Sequence, residues 1–380
     1  MENNETKTKT TGEKAGFLSR LKNDKKTQLW VSGVVVFLLL AVVGGLLYSS
    51  KNSSKSQDGD DKEVVVEDVS ATLQRKLDGV EVDNGKDNIY PVGVMIENLV
   101  SVRPQSGLSK AGVVYEALAE GGITRFLAVF ASDASMDKVG PVRSARDYYV
   151  RLAGEYNAVY AHAGGSPEAL ALLQSDKHVL DGNALTGGQQ QFFKRDTAIA
   201  APHNLFTNSF LLNELRKNKN VLDTEGDFTG WKFATKTMQA TEGSADATSI
   251  HIDFSSRDYT ADYSYNAEDG VYERSNGGVA HTDALTKKQI TVKNIVVQKT
   301  EVAASGDDKG RVDVTTTGDG NALIFINGKV TEGTWKFDAT ENRTRFYDAA
   351  DNEVVFEPGN TWVEVVPSDR TVEYTAQEAQ

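Results

Sequence analysis

The stretch GPVRSARDYYVRLAGEYNAVYAHAGGSP, Gly140 to Pro167, decides how the body of this chain folds. It opens with a Gly-Pro turn carrying Arg143 and Arg146. Ser144 followed by Asp147 has the spacing of a capping box, with Tyr148, Leu152 and Tyr156 on one face of the helix behind it. Asn157–His162 reads as a short apolar strand. Ser166-Pro167-Glu168 then offers an N-cap, a proline for the first helical position and an acid in the first turn, opening a helix over Glu168–Gln174. Strand, helix, strand, helix in this order favours an α/β domain whose sheet is at least partly parallel, with ligands beyond the C-terminal ends of its strands.

Upstream, Tyr90–Asn98 suits a buried strand with Glu97 at its C-terminal end, and Val113–Gly122 and Thr124–Ala131 read as two more. Downstream, Asn208–Asn218 reads as a helix whose apolar face is Phe210, Leu211, Leu212 and Leu215. Beyond Gly226 the texture changes to short Thr- and Val-rich runs such as SIHIDF (249–254), ITVKNIVVQ (290–298), ALIFI (322–326) and TWVEVV (361–366). Asn327-Gly328 is a strong hairpin signal, because a type I′ turn needs positive φ at both central residues. The expected build is an α/β domain over 64–225, a mainly-β domain over 226–370 and a loose tail over 371–380.

The chain has 380 residues and a net charge of −13. Residues 1–62 hold ten Lys/Arg against seven Asp/Glu, so the remainder carries −16. An acidic body argues against general nucleic-acid binding, which relies on clustered Lys and Arg. The chain contains no cysteine, which excludes disulfides, thiolate metal sites and the lipid-modified cysteine of a bacterial lipoprotein. Leu29–Tyr48 is almost wholly apolar and long enough to span a hydrocarbon core of roughly 30 Å. Basic residues from Lys9 to Lys26 outnumber Lys51, Lys55 and Lys62 on the other flank, which places the 1–28 tail in the cytoplasm and the body outside. A single uncleaved transmembrane helix over 29–48 is therefore expected, followed by a polar, Ser-rich linker over 49–63.

Arg103, Arg125, Arg143, Arg146 and Arg195 form a run of arginines in an acidic protein. Arg suits bidentate capture of phosphate or carboxylate; the alternative is ordinary ion pairing with Glu97, Glu116, Glu120 and Asp147. The backbone amides of Gly164, Gly165 and Ser166, between a strand end and a helix start, could complete an anion cradle. Neither a dinucleotide fingerprint nor a P-loop is present. His203 and Asn204 lie in a stiff loop after Pro202. Glu97, His162 and His203 could serve as general acid/base groups, while a metal triad of the same three lacks supporting spacing, so no metal is assigned. Ser166 is better read as a helix cap than as a nucleophile. Trp335 and Trp362 alternate with apolar neighbours and read as core rather than sugar platforms.

The runs YPVGVMIEN, RPQSGLSKAGVVYEALAEGGITRFLAVF, GPVRSAR, HAGGSPEAL, APHNLF, GTWKF and PGNTWVEVVP, spread from about Leu73 to Pro367, resemble the YerB-like envelope proteins, domain of unknown function 3048. The resemblance implies an extracytoplasmic location and a two-domain build, and it implies no reaction. Three functions are compatible with these residues: binding of an anionic envelope ligand, hydrolysis or transfer on an anionic cell-wall or lipid-linked precursor through Glu97, His162 and His203, or a non-catalytic scaffold using the β-rich part. Neither a cofactor nor a protein partner is identified by the sequence.

Overall fold

The structure is a computed structural model that describes residues 72–235 and 244–375; the expected tail, membrane helix and linker of residues 1–63 lie outside them. Among the described residues no helix is long and apolar enough to cross a membrane. The strand β1, Val92–Glu97, is buried along its whole length. Its side chains alternate, with Val94 and Ile96 entering one hydrophobic core and Met95 the other. Such a continuous apolar run marks a strand covered on both faces.

In chain order the other strands of its sheet are β2 (Val113–Glu120), β3 (Ile123–Phe130), β4 (Val159–His162), β5 (Leu180–Asn183), β6 (Ala245–Asp246), β7 (Asn294–Thr300), β8 (Asp319–Ile326), β9 (Lys329–Asp338), β10 (Arg343–Asp348) and β11 (Thr361–Pro367). The spatial order is β6-β9-β8-β7-β11-β2-β3-β1-β4-β5, with β10 on β9. β1, β4 and β5 run parallel, as strand–helix–strand connections require. β11 lies parallel to both β7 and β2. One sheet thus draws strands from both sides of the composition change near Gly226. The described residues are mostly β with few helices.

Three α-helices are present among the described residues: α1 (Asp147–Gly154), α2 (Pro167–Ser175) and α3 (Ser209–Asn218). α1 buries Tyr148 and Leu152 against the sheet as its spacing predicts. The expected capping box is not formed. Arg146 occupies the N-cap without a side-chain cap, and the Ser144 hydroxyl donates instead to the Ala163 carbonyl at 2.9 Å. Tyr156 falls beyond the helix but is buried. α2 follows expectation, with Ser166 Oγ accepting from the Ala169 amide. α3 is capped by Asn208 and buries Leu211, Leu212 and Leu215, but Phe210 is 71% exposed and does not belong to the apolar face.

A second, six-stranded sheet built around Ser249–Asp253, Thr260–Asn266 and Val271–Asn276 supplies Ile250, Ile252, Tyr263 and Tyr272 to the core that holds Val94 and Ile96. The C-terminal stretch expected to be loose in fact adds a strand, Val372–Thr375, to its edge beside Ser249–Asp253; residues 376–380 lie outside the description. Backbone pairing, invisible to a reading of side-chain hydrophobicity, holds it there. Asn327 and Gly328 have φ of 52° and 72° and join β8 to β9, as the type I′ signal requires.

Candidate functional site

The two ends of the Gly140–Pro167 stretch meet. Ala145 donates its amide to the Gly164 carbonyl, and Ser166 returns one to Ala145. Gly140 makes the first turn feasible: its φ is 135°, and a Cβ there would come within 2.8 Å of the Val142 nitrogen. The result lays Val142–Ala145 across the C-terminal end of β1, where the Arg143 amide donates to the Met95 carbonyl.

Glu97, the last residue of β1, is buried and paired in register with Arg125 of β3. Its carboxylate lies 3.1 Å from Arg143 Nε and 2.9 Å from His203 Nδ1. Beside it, Glu120 holds Arg125 and, at 2.6 Å, Arg146. Burial works against ionisation of Glu120, yet the two guanidiniums outweigh it and hold the carboxyl below its usual range. Three arginines thus face two glutamates, a local excess of one positive charge before His203 is counted. Burial chiefly, then Arg125 and Arg146, oppose the Arg143 cation against the pull of Glu97. The Arg143 side chain is 21% exposed, and among the described residues its terminal nitrogens have no hydrogen-bond acceptor. Arg125 and Arg146, by contrast, also donate to the Ser144 and Ala145 carbonyls. His203 is 28% exposed, and its Nε2 has no partner among the described residues.

The remaining expected site residues lie elsewhere. His162 is fully buried, with Nδ1 on the Gly164 carbonyl and Nε2 on Asp181, each at 2.8 Å. Both ring nitrogens are engaged, and no bond joins His162 to Glu97 among the described residues. The amide cradle is not open either: the Gly164 amide donates to Asn183 and the Ser166 amide to Ala145, while the Ser166 hydroxyl caps α2. Of the three amides, only that of Gly165 has no acceptor among the described residues. Asn204 accepts from Arg195 at 2.7 Å, so these two residues serve each other. Arg103 donates to Asn98, just after β1, and lies over the Tyr259 ring in the turn before Thr260. Trp335 and Trp362 are buried, as expected of core residues.

Sequence reasoning missed a second polar cluster between the two sheets. Arg274 forms an ion pair with Glu116 and lies 3.8 Å from Glu364, all three fully buried. Tyr263 donates to Glu364, Arg274 donates at 2.6 Å to His281 Nδ1, and His281 Nε2 donates to Gln105. Burial chiefly, then the neighbouring Glu116, pushes Glu364 up to about 8. Burial and Arg274 push His281 well down, consistent with a neutral ring accepting from arginine. Trp362 stacks on the guanidinium at 4.5 Å. The only sequence signal was a glutamate inside each of two apolar runs, Glu116 in VVYEALA and Glu364 in TWVEVV.

The family described as Protein of unknown function (DUF3048) N-terminal domain matches residues 77–224, and its C-terminal domain counterpart matches residues 250–363. The chain is 33% identical over 314 residues to the protein named "Putative lipoprotein YerB" of Bacillus subtilis, covering 80% of this chain and 88% of that one. The crystal structure of YerB from the same organism superposes with a TM-score of 0.69 at 32% identity, covering 79% of this chain and 99% of the other. With both matched segments in order and most of the fold shared, the chain belongs to the DUF3048 family and carries its N-terminal and C-terminal domains.

Proposed function

We propose that this is a cell-envelope protein, held at the outer face of the membrane by Leu29–Tyr48, whose strand-end cluster binds an anionic group of an envelope ligand. The YerB relative carries a lipoprotein name, and the apolar segment here would take the place of a lipid-bearing cysteine. The observation that carries the binding reading is Arg143. Its terminal N–H donors are free among the described residues, it sits in a cluster of three arginines against two glutamates, and it is positioned by a buried carboxylate. A phosphate or carboxylate docking there would neutralise the excess charge and accept two parallel N–H bonds.

The test is a thermal-shift titration of the full chain in detergent with inorganic phosphate and pyrophosphate. Saturable stabilisation that disappears in Arg143→Ala is the expected result. Equal stabilisation of the variant, or none of the parent, would end the reading.

The His203–Glu97 pair favours one second reading, acid/base chemistry on the bound group. A histidine oriented through Nδ1 by a buried carboxylate presents Nε2 outward, as a proton-transfer residue must. His162 has no part in this version, because its nitrogens are engaged. Phosphate release from phosphorylated muropeptides, abolished in His203→Ala while ligand-induced stabilisation survives, would support it.

A further inference from the structure

A cavity of about 600 Å³ opens at the other end of α1, where Gly154, Glu155 and Asn157 meet the turn between β9 and β10 and the segment Asp227–Phe233. That volume lies inside the ~300–1,000 Å³ range of small-molecule sites. We infer that this cavity is a binding site for a neutral saccharide, separate from the Arg143 cluster.

The floor is aromatic and rigid. Trp231 and Phe228 are buried, and Trp231 donates to the Thr344 carbonyl at 2.9 Å. Behind it the buried Arg343 guanidinium is sandwiched 4.2 Å from the Tyr156 ring and 4.4 Å from the Trp231 ring, which fixes the indole. Phe233, half-buried, extends the apolar surface toward the opening. Of these rings Phe233, only partly buried, is the one most open to the C–H face of a pyranose, with the buried Trp231 and Phe228 lying deeper in the wall.

The rim is polar and largely uncommitted. His178 is exposed and donates through Nδ1 to the Asn157 side-chain oxygen at 2.9 Å, leaving Nε2 as an acceptor in the neutral ring. Asn342 uses its amide nitrogen on the Gly154 carbonyl at 2.9 Å, and its oxygen has no partner among the described residues. The hydroxyls of Thr229 and Thr340 are exposed and likewise free there. Neighbouring donors and acceptors, mostly uncharged, match hydroxyl groups that both donate and accept.

Other ligand classes fit less well. Arg75 is held by Asp78 and Asp133, and the two cations of the lining, Arg75 and Lys76, are outnumbered by the carboxylates of Glu155, Asp227 and Glu341, which disfavours a phosphate. Among the described residues no group of three acids or histidines could hold a metal. A lipid chain would leave the polar rim unpaired.

Calorimetric titration of the full chain in detergent with chitotriose and with maltotriose tests the inference. Saturable binding of either sugar is expected, weakened about tenfold or more in the exposed-rim variant His178→Ala/Thr340→Ala. It should also be blocked by Thr229→Trp and unchanged in Arg143→Ala. The inference fails if neither sugar binds up to about 10 mM, if both rim variants bind like the parent, or if Arg143→Ala alone removes binding. The last outcome would assign the sugar to the strand-end cluster instead.

Discussion

Two clusters of arginine, glutamate and histidine lie on opposite faces of the main sheet, and they differ in how completely their hydrogen bonds are satisfied. Between the sheets, Arg274 is matched by Glu116, Glu364, Tyr263 and His281, all buried, and every guanidinium nitrogen is used; among the described residues only Glu364 Oε2 of this group lacks a partner. On the helical face, Arg143, Arg125 and Arg146 share Glu97 and Glu120, and Arg143 keeps open donors at a partly exposed position. The same residue types therefore do different physical jobs. Enclosure demands that the arginine charge be fully matched, because an unmatched buried charge is costly, whereas a site for a ligand must leave valences free.

The sharpest way to break this contrast is Arg274→Ala, which strands Glu116 in the core. Urea denaturation should show a loss of about 3–5 kcal/mol. A small loss would mean that the network is not enclosed as described.

Glu364→Gln comes next, and its effect depends on pH. The folded pKa is raised from 4.5 to about 8, so the folded chain keeps a proton that the unfolded chain has already released between those values. The contribution of Glu364 is fully present below about pH 4.5 and is lost as pH rises through about 8. Across that window parental stability should fall, by at most roughly 1.4 kcal/mol per pH unit. The glutamine variant should flatten the decline and be the more stable protein at pH 9. Identical slopes for both proteins would show that Glu364 is ionised at neutral pH.

Ser166→Ala should cost about 1 kcal/mol by uncapping α2. Phosphate-induced stabilisation should be unaltered, because the hydroxyl serves Ala169. Loss of the phosphate response would return the serine to the site. The smallest stability effect is expected for Arg143→Ala, within about 1 kcal/mol since the side chain is partly solvated. This variant alone among the four should abolish the phosphate response.

Much of the strand-end cluster was legible. Arg125, Arg143, Arg146, Glu97 and His203 were singled out, because polar residues at the ends of apolar runs mark the edges of buried elements. His162, Gly164 and Ser166 looked equivalent to them in sequence. Their partners, Asp181, Asn183 and Ala145, are set by the parallel pairing of β4 with β5 and by the crossing of Val142–Ala145, which no local pattern encodes. Phe210 shows the same limit, since its apolar character suggested burial and α3 turns it outward.

By itself the sequence determined many of the longer elements, the expectation of a partly parallel sheet, the α2 cap and the Asn327-Gly328 hairpin. Each depends on periodicity, or on φ and capping preferences within a few residues. Only the tertiary structure decided that β11 returns from the far end of the chain to lie beside β2. That pairing makes one sheet of both halves and brings Glu116, Arg274 and Glu364 together. The physical reason is separation. Arg274 and Glu116 stand 158 positions apart, so their pairing depends on long-range strand register and burial rather than on any short-range preference.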